Sequence, residues 1–381
     1  METILRNPYT LTLEEWRDVL AEWGEPAYRA RQIWQWLYRH LARDADAMTN
    51  LPKALRRRLA ETFDFDILTP VTQLQSTDGH TRKWLLRLPD GEHIEAVLME
   101  YDTRNTACIS VQVGCAYACA FCATGQMGLI RNLAAGEIVA QIVHIERVLR
   151  DAGERPTEGH ALTNIVFMGM GEPLSNYRET LKAIRILNHR EGMAFGARRM
   201  TLSTVGLVPA IRRLAEEPLQ VNLAISLHAP RDDLRAALLP INAQYPIAEL
   251  MEAVREYIRK TNRRVTFEYA MIDGINDDVA LAHELGRLLK GMLAHVNLIP
   301  LNAVPGSPWQ GSPRERVRAF ADVLQASYNV PVTVRVRRGI DIAAGCGQLY
   351  AQVERRGRSI VPLDAYPTHA EAARAAARRH T

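Results

Sequence analysis

The chain predicts an α/β fold, in which a parallel sheet curls into a partial barrel of six β/α units behind a small helical N-terminal domain and a β-hairpin linker. Three observations carry this. From Ala107 onward, short β-rich runs alternate with longer segments of helical period. Between about residues 73 and 99, apolar residues recur at every second position. Before that they recur at helical spacing.

In order, Thr12 with Glu15 three residues on is a capping-box pattern ahead of LEEWRDVLAEW. Pro26 precedes a second amphipathic run, with Ala30, Ile33, Trp34 and Leu37 on one face. A third run turns Leu51, Leu55 and Leu59 inward, with Pro52 in its first turn. Its other face carries Lys53, Arg56, Arg57 and Arg58, a compact basic patch that reads first as a solvated helix face. Trp84, Leu86 and Leu88 alternate up to a Pro89-Asp90-Gly91 turn, and Ile94, Ala96 and Leu98 alternate after it. Glu95 falls on the opposite face, a solvated sheet position by default.

The six β-rich runs are CISVQVG, NIVFMG, MTLSTVG, VNLAISLHA, VTFEYAMI and HVNLIPLN. Ile138, Ile142, Ile145 and Leu149 form one stripe on the first intervening helix. Parallel strands joined by crossovers of one hand place chemistry at their C-terminal ends. That rule gathers Gly114 to Cys122, Gly169 to Pro173, Ser203 to Gly206, Ser226 to His228 and Asn302 around one mouth. A further run, VPVTVRVRRG, leads to AAGCGQL. Arg335, Arg337, Arg338, Arg355, Arg356 and Arg358 cluster around Cys346 in sequence, and the tail is Ala/Arg-rich. The boundaries expected are 1–70 helical, 71–100 hairpin, 101–350 barrel and 351–381 basic tail.

Composition narrows the function classes. The 381 residues hold 47% hydrophobic residues, and 47 Lys plus Arg stand against 43 Asp plus Glu, which excludes a disordered or fibrous chain. The net charge of +4 permits nucleic-acid binding without indicating it. No apolar run approaches the roughly 18 residues of a membrane span, and the first residues lack a signal-peptide pattern, so a cytoplasmic protein is expected. Five cysteines, at 108, 115, 119, 122 and 346, are an odd count unlike a secreted disulfide framework.

Three of them, Cys115, Cys119 and Cys122, form a Cys-x3-Cys-x2-Cys loop directly after a buried run. Three local thiolates suit a 4Fe-4S cubane and leave one iron open to a substrate. Zinc would want a fourth Cys or His nearby, and the next histidine, His144, lies inside a helical run. The Gly-x-Gly at Gly169 does not continue as a dinucleotide fingerprint: Leu174 stands at the sixth position, and Glu172 would repel a pyrophosphate. Taken alone, Cys108 and Cys346 read as small buried hydrophobes, Ser203 and Asn302 as loop caps, and His228 as a core histidine. Met168 reads as core or pocket lining.

The loop, the six β/α units and the segments MGMGEPL, LSTVG, AISLHA and NLIPLN resemble the radical S-adenosylmethionine enzymes. More narrowly, they resemble the RNA adenine methyltransferases of the RlmN type, with Cys108 and Cys346 marking the subgroup. The resemblance covers essentially the whole chain. It implies a partial (β/α)6 radical-SAM barrel and methylation of C2 of one adenosine in 23S rRNA and in certain tRNAs. Cys115, Cys119 and Cys122 would hold one 4Fe-4S cluster, whose open iron chelates S-adenosylmethionine, used twice per turnover. Gly171 and Glu172 would bind the amino group, and Ser203, the backbone and side chains of Ser226, Leu227 and His228, and Asn302 would hold the ribose, carboxylate and adenine. A first S-adenosylmethionine methylates Cys346, and a radical from the second activates that methyl group for addition to C2. Cys108 then forms a disulfide with Cys346 that releases the base, and either Cys108 or Glu95 takes the C2 proton. The resemblance also implies a low-potential electron donor such as a flavodoxin, no membrane, and a monomer. The basic clusters would track RNA phosphates while the target base is extruded. A relative acting on C8 of the same base shares these cysteines and is the alternative, followed by another kind of radical enzyme.

Overall fold

The computed structural model of the chain describes residues 5–154, 159–302, 308–335 and 338–349. The capping box at Thr12 forms: its hydroxyl accepts from the Glu15 amide at 3.2 Å, and the Glu15 carboxylate accepts from the Thr12 amide at 2.7 Å. It starts α1 (Leu13–Glu22), which packs on α2 (Tyr28–Tyr38). Ala30, Ile33, Trp34 and Leu37 are buried, as are Leu55 and Leu59 of α3 (Lys53–Thr62). Pro52 stands just before the first turn of α3, not in it.

The next strands, β1 (Thr69–Gln75), β2 (Thr81–Arg87) and β3 (His93–Tyr101), form an antiparallel meander. Its tight turn closes where Gly91, at φ 87°, donates to Leu88 at 2.9 Å. This hairpin is no free linker, because β3 pairs with β4 (Arg104–Cys108) and the meander becomes the outer edge of one ten-stranded sheet. The first β-rich run also divides. β4 stops at Cys108, and β5 (Gln112–Cys115) turns away to pair with β6 (Gly128–Asn132), with α4 (Ala123–Gln126) between them. Gly114 permits that approach: a Cβ there would lie 1.9 Å from the Gly128 carbonyl oxygen.

After α5 (Ala135–Asp151), the chain alternates through β7 (Asn164–Phe167), α6 (Tyr177–Asn188), β8 (Met200–Thr204), α7 (Val208–Leu214) and β9 (Asn222–Ser226). It continues through α8 (Asp232–Leu238), α9 (Ile247–Thr261), β10 (Val265–Met271), α10 (Val279–Leu289), β11 (Ala294–Pro300), α11 (Arg314–Tyr328) and β12 (Val332–Val334). From β4 onward all neighbours in the large sheet are parallel. The short β12 falls within the further run VPVTVRVRRG and extends the sheet past the six β-rich runs. The stripe Ile138, Ile142, Ile145 and Leu149 is fully buried under this sheet.

The helical N-terminal part shares one apolar core with the barrel. Arg147 of α5 keys the joint. Its guanidinium donates to the carbonyls of Leu41 at 3.1 Å, Phe65 at 3.2 Å and Ala42, and to the Tyr9 hydroxyl at 2.9 Å, and it pairs with Asp66 at 3.0 Å. Beyond β12, the chain folds back across the open side of the barrel. The Thr77 amide and hydroxyl donate to Asp341 at 2.7 and 2.8 Å, Lys83 donates to the Ala343 carbonyl at 3.1 Å, and Thr124 donates to the Leu349 carbonyl at 2.6 Å. This return path brings Cys346 from the end of the described chain to the barrel mouth. No helix among the described residues is long and apolar enough to cross a membrane.

Candidate active site

The strand-end rule holds where it matters. One cavity, with about 940 Å³ of atom-free space including its mouth, is lined by Cys115, Cys119, Cys122, Gly171, Glu172, Ser203, Ser226, His228, Asn302 and Cys346. Cys115 ends β5, Cys122 precedes α4, and Ala118, at φ 47°, bends the loop between them. Burial pushes the Cys115 thiol up to about 12, and Cys119 is raised by burial and then by the charges of Cys122 and Cys115. Buried thiols that oppose each other's ionisation fit a cationic iron–sulfur cluster, which removes that opposition. Among the described residues no three His, Cys, Asp or Glu converge on a single-ion site. A cubane, met at three separate irons, does not require such convergence.

Beside the loop, Gly171 sits at φ 97°, and a Cβ there would meet the Gln112 side chain at 2.5 Å. Glu172 is buried, and burial lifts its carboxyl to about 7 against backbone hydrogen bonds that lower it. Its oxygens accept from the amides of Leu174 at 2.9 Å and Val205 at 2.8 Å, and the Thr204 side chain also hydrogen-bonds the carboxylate. The hydroxyls of Ser203 and Ser226 lie 3.5 Å apart on neighbouring strands. His228 adopts φ 58°, and its Nδ1 accepts from the Ala270 amide at 2.9 Å, which puts the ring proton on Nε2. Burial holds this ring down at about 3, hence neutral. Leu227 departs from expectation: its side chain is fully buried in the core and its amide donates to the Glu268 carbonyl at 3.1 Å, because alternation along β9 turns it away from the cavity. Asn302 is buried with no partner for its Oδ1 among the described residues. An orphaned acceptor in a cavity fits a ligand that donates there.

Gly345 and Gly347 flank Cys346 for different reasons. A Cβ at Gly345 would lie 2.3 Å from Asn302 Nδ2, whereas Gly347 has φ 83°. Gln348 Oε1 accepts from the Gly345 amide at 3.0 Å and steadies the turn. Cys108 and Cys346 are both free thiols, and they lie close enough for Cys346 to raise Cys108, which burial foremost pushes up to about 12. Glu95 is not solvated. It is buried, and Lys83 Nζ lies 3.0 Å from its Oε1, because the return segment covers that face of β2 and β3.

Sequence reasoning missed Lys83 and Asn276, which ties the His228 carbonyl at 2.8 Å to the Ala270 carbonyl at 2.6 Å. The Met168 side chain lines the cavity. The basic patches also need correction. Arg56 donates to the Asp46 carbonyl at 2.9 Å, and Arg58 stacks on Trp23 at 4.4 Å, so Lys53 and Arg57 are the cations of α3 without a partner among the described residues. Arg338 stacks on Tyr101 at 4.6 Å, and Arg335 turns toward Cys346. Arg337, Arg355, Arg356 and Arg358 lie outside the described residues.

Comparison with known proteins agrees with this geometry. Residues 109–285 match the radical SAM superfamily, and residues 7–64 match the ribosomal RNA large subunit methyltransferase N-terminal domain. Fold and cysteine loop define the class: a radical S-adenosylmethionine enzyme that uses one 4Fe-4S cluster. A probable dual-specificity RNA methyltransferase RlmN of Chloroflexus aurantiacus is 52% identical over 93% of this chain and 94% of its own length. The dual-specificity RNA methyltransferase RlmN 1 of Myxococcus xanthus is 51% identical, over 94% of this chain and 98% of its own. A radical SAM methyltransferase structure from Sphaerobacter thermophilus superposes with a TM-score of 0.87 at 57% identity, covering 91% of this chain and 99% of that one. The chain belongs to the RlmN family of RNA methyltransferases.

Proposed function

We propose that this chain methylates C2 of a specific adenosine in 23S rRNA and in a subset of tRNAs, using a methyl group carried on Cys346. The observation that supports this reading is that Cys346 lines the same cavity as the three cysteines of the loop. Adenine C2 has no lone pair with which to attack a sulfonium methyl, so a methyl carrier close to a radical source answers a chemical need. When bound, the cluster and S-adenosylmethionine, two molecules per turnover, supply the electron, the methyl group and the hydrogen-abstracting radical.

The chain's own residues do the rest. Cys115, Cys119 and Cys122 would hold the cluster; the backbone of Gly171 and the Glu172 carboxylate would receive an ammonium. Ser203, Ser226, His228 Nε2 and Asn302 would receive the polar groups of the cofactor. Cys346 takes the methyl group on sulfur and presents it to the base. Cys108 then attacks the Cys346 sulfur, and the transient disulfide frees the methylated product. Methylation of Cys346 removes the facing charge that helps hold Cys108 protonated, so Cys108 becomes the better nucleophile before its own attack. Either Glu95, which lies 3.0 Å from Lys83 Nζ, or Cys108 takes the C2 proton.

Residues 1–70 serve as an RNA-binding accessory to the barrel, with Lys53 and Arg57 toward phosphate. A low-potential donor such as a flavodoxin reduces the cluster, and the enzyme works as a monomer in the cytoplasm. The test is anaerobic: reconstituted enzyme, unmodified ribosomal RNA or tRNA, reductant and methyl-labelled S-adenosylmethionine, followed by nucleoside mass spectrometry. Label in 2-methyladenosine is the expected result. Label in 8-methyladenosine would replace the C2 assignment, and cofactor cleavage with both RNAs unlabelled would remove the substrate.

A further inference from the structure

Arg335 stands where β12 hands the chain to the return segment, and its amide donates to the Leu298 carbonyl at 2.8 Å, which fixes its backbone. The side chain is half-buried. Its Nη1 donates to Cys346 Sγ at 3.0 Å and its Nη2 to Met99 Sδ at 3.6 Å. A guanidinium in such a place ordinarily meets a carboxylate, bidentate where it can. Here, among the described residues, no carboxylate lies in ion-pairing contact with it. Glu268, the nearest carboxylate to influence it, accepts from Asn297 at 2.7 Å instead. The titratable and charged groups that face Cys346 are Cys108 of β4, Cys122 beside α4, and Arg335; Glu268 of β10 and Tyr101 of β3 act on Arg335 itself. Of these, Arg335 alone is a cation in contact with the sulfur.

We propose that Arg335 is the positioning residue of the methyl carrier: its guanidinium, donating to Cys346 Sγ, aims that sulfur into the cavity and holds it there for methyl transfer. The inference rests on the reading of Cys346 as methyl carrier. The step balances without further reagents. The thiol proton leaves to solvent, a sulfur lone pair forms the new S–C bond, and the methyl–sulfonium bond breaks to leave a neutral thioether as the departing group. Arg335 transfers no proton. Once methylated, the Cys346 sulfur is a neutral thioether and a weak acceptor, so the guanidinium loosens its hold as the methyl group must turn toward the base.

The test reads the sulfur directly. The chain is prepared iron-free so that Cys346 is unmethylated, reconstituted anaerobically without S-adenosylmethionine, and pulsed with iodoacetamide; mass spectrometry quantifies the Cys346 peptide. R335Q, which takes the charged donor away from the sulfur, is expected to alkylate about tenfold more slowly than wild type. R335K, which keeps a charge without the planar fork, falls between them. Unfolding would expose Cys346 and speed its alkylation, so slowing cannot come from a misfolded variant. R335Q alkylating at the wild-type rate overturns the proposal. Portions of the same preparations then receive S-adenosylmethionine. A wild-type chain whose Cys346 peptide gains a methyl group while R335Q alkylates normally overturns the role of Arg335 alone, and a wild-type chain that never gains it overturns the methyl-carrier reading as well.

Discussion

The joint beneath α5 and the mouth of the barrel both bury charged and polar side chains, and they use them in opposite ways. At the joint, Arg147 meets carbonyls of Leu41, Ala42 and Phe65, the Tyr9 hydroxyl and Asp66, so its donors are consumed within the protein. At the mouth, Asn302 Oδ1 has no partner among the described residues, Glu172 is buried with its carboxyl lifted to about 7, and glycines at 171 and 345 keep backbone room open. Buried polarity that satisfies itself is structural. Buried polarity left over belongs to something that arrives.

The largest test of this contrast removes the methyl carrier. C346A is expected to lose RNA methylation to background while S-adenosylmethionine cleavage persists, measured by labelled-nucleoside mass spectrometry beside 5'-deoxyadenosine release. Loss of both would mean that Cys346 shapes the cofactor pocket as a whole. At the joint the effect falls on stability. R147M strands the Leu41 and Ala42 carbonyls and breaks the pair with Asp66, while the Tyr9 hydroxyl still donates to the Phe65 carbonyl, and it should lower unfolding free energy by about 3 kcal/mol in urea, with methylation per folded molecule unchanged.

The third test is a pH dependence. His228 is held at about 3 in the fold, below its ordinary 6.5, because burial disfavours the charged ring. Its contribution to stability is therefore complete above about pH 6.5 and is lost as pH falls toward 3. H228N keeps an acceptor for the Ala270 amide and cannot ionise. By the bottom of that window it should retain about 4 kcal/mol more stability than wild type, relative to their difference at pH 8. The smallest effect is expected on α3. Charge reversal at Lys53 and Arg57 should weaken RNA binding and reduce the salt slope by about two, leaving cofactor cleavage intact. The same change at Arg56, committed to the Asp46 carbonyl, should act through folding instead.

What the sequence made legible follows from how far each feature reaches. The capping box at Thr12, the stripe from Ile138 to Leu149 and the cysteine loop are local, with spacing that survives any tertiary arrangement. The strand-end rule carried Ser203, Ser226, His228 and Asn302 to one cavity because parallel β/α units repeat. It did not carry the Leu227 side chain there, because period-two alternation points that side chain into the core. Glu95 was read as solvated because its cover, the return segment near Ala343, comes from almost 250 residues away. Arg335 was read as part of a phosphate-tracking cluster for a related reason. Its partner Cys346 is eleven positions on, and only the fold-back of that segment turns one toward the other. The hairpin between Trp84 and Leu98 was seen by its alternation, while its membership in the main sheet depended on β3 finding β4.

The most direct measurement of the central claim is a pulse–chase on the enzyme itself. Cluster-loaded chain is exposed to methyl-labelled S-adenosylmethionine without RNA, freed of the small molecule, and then given unmodified RNA, reductant and unlabelled S-adenosylmethionine. Label should appear first on the Cys346 peptide and then, within one turnover, leave it for 2-methyladenosine. Unlabelled product in the first turnover, with the label still on the peptide, would contradict the account.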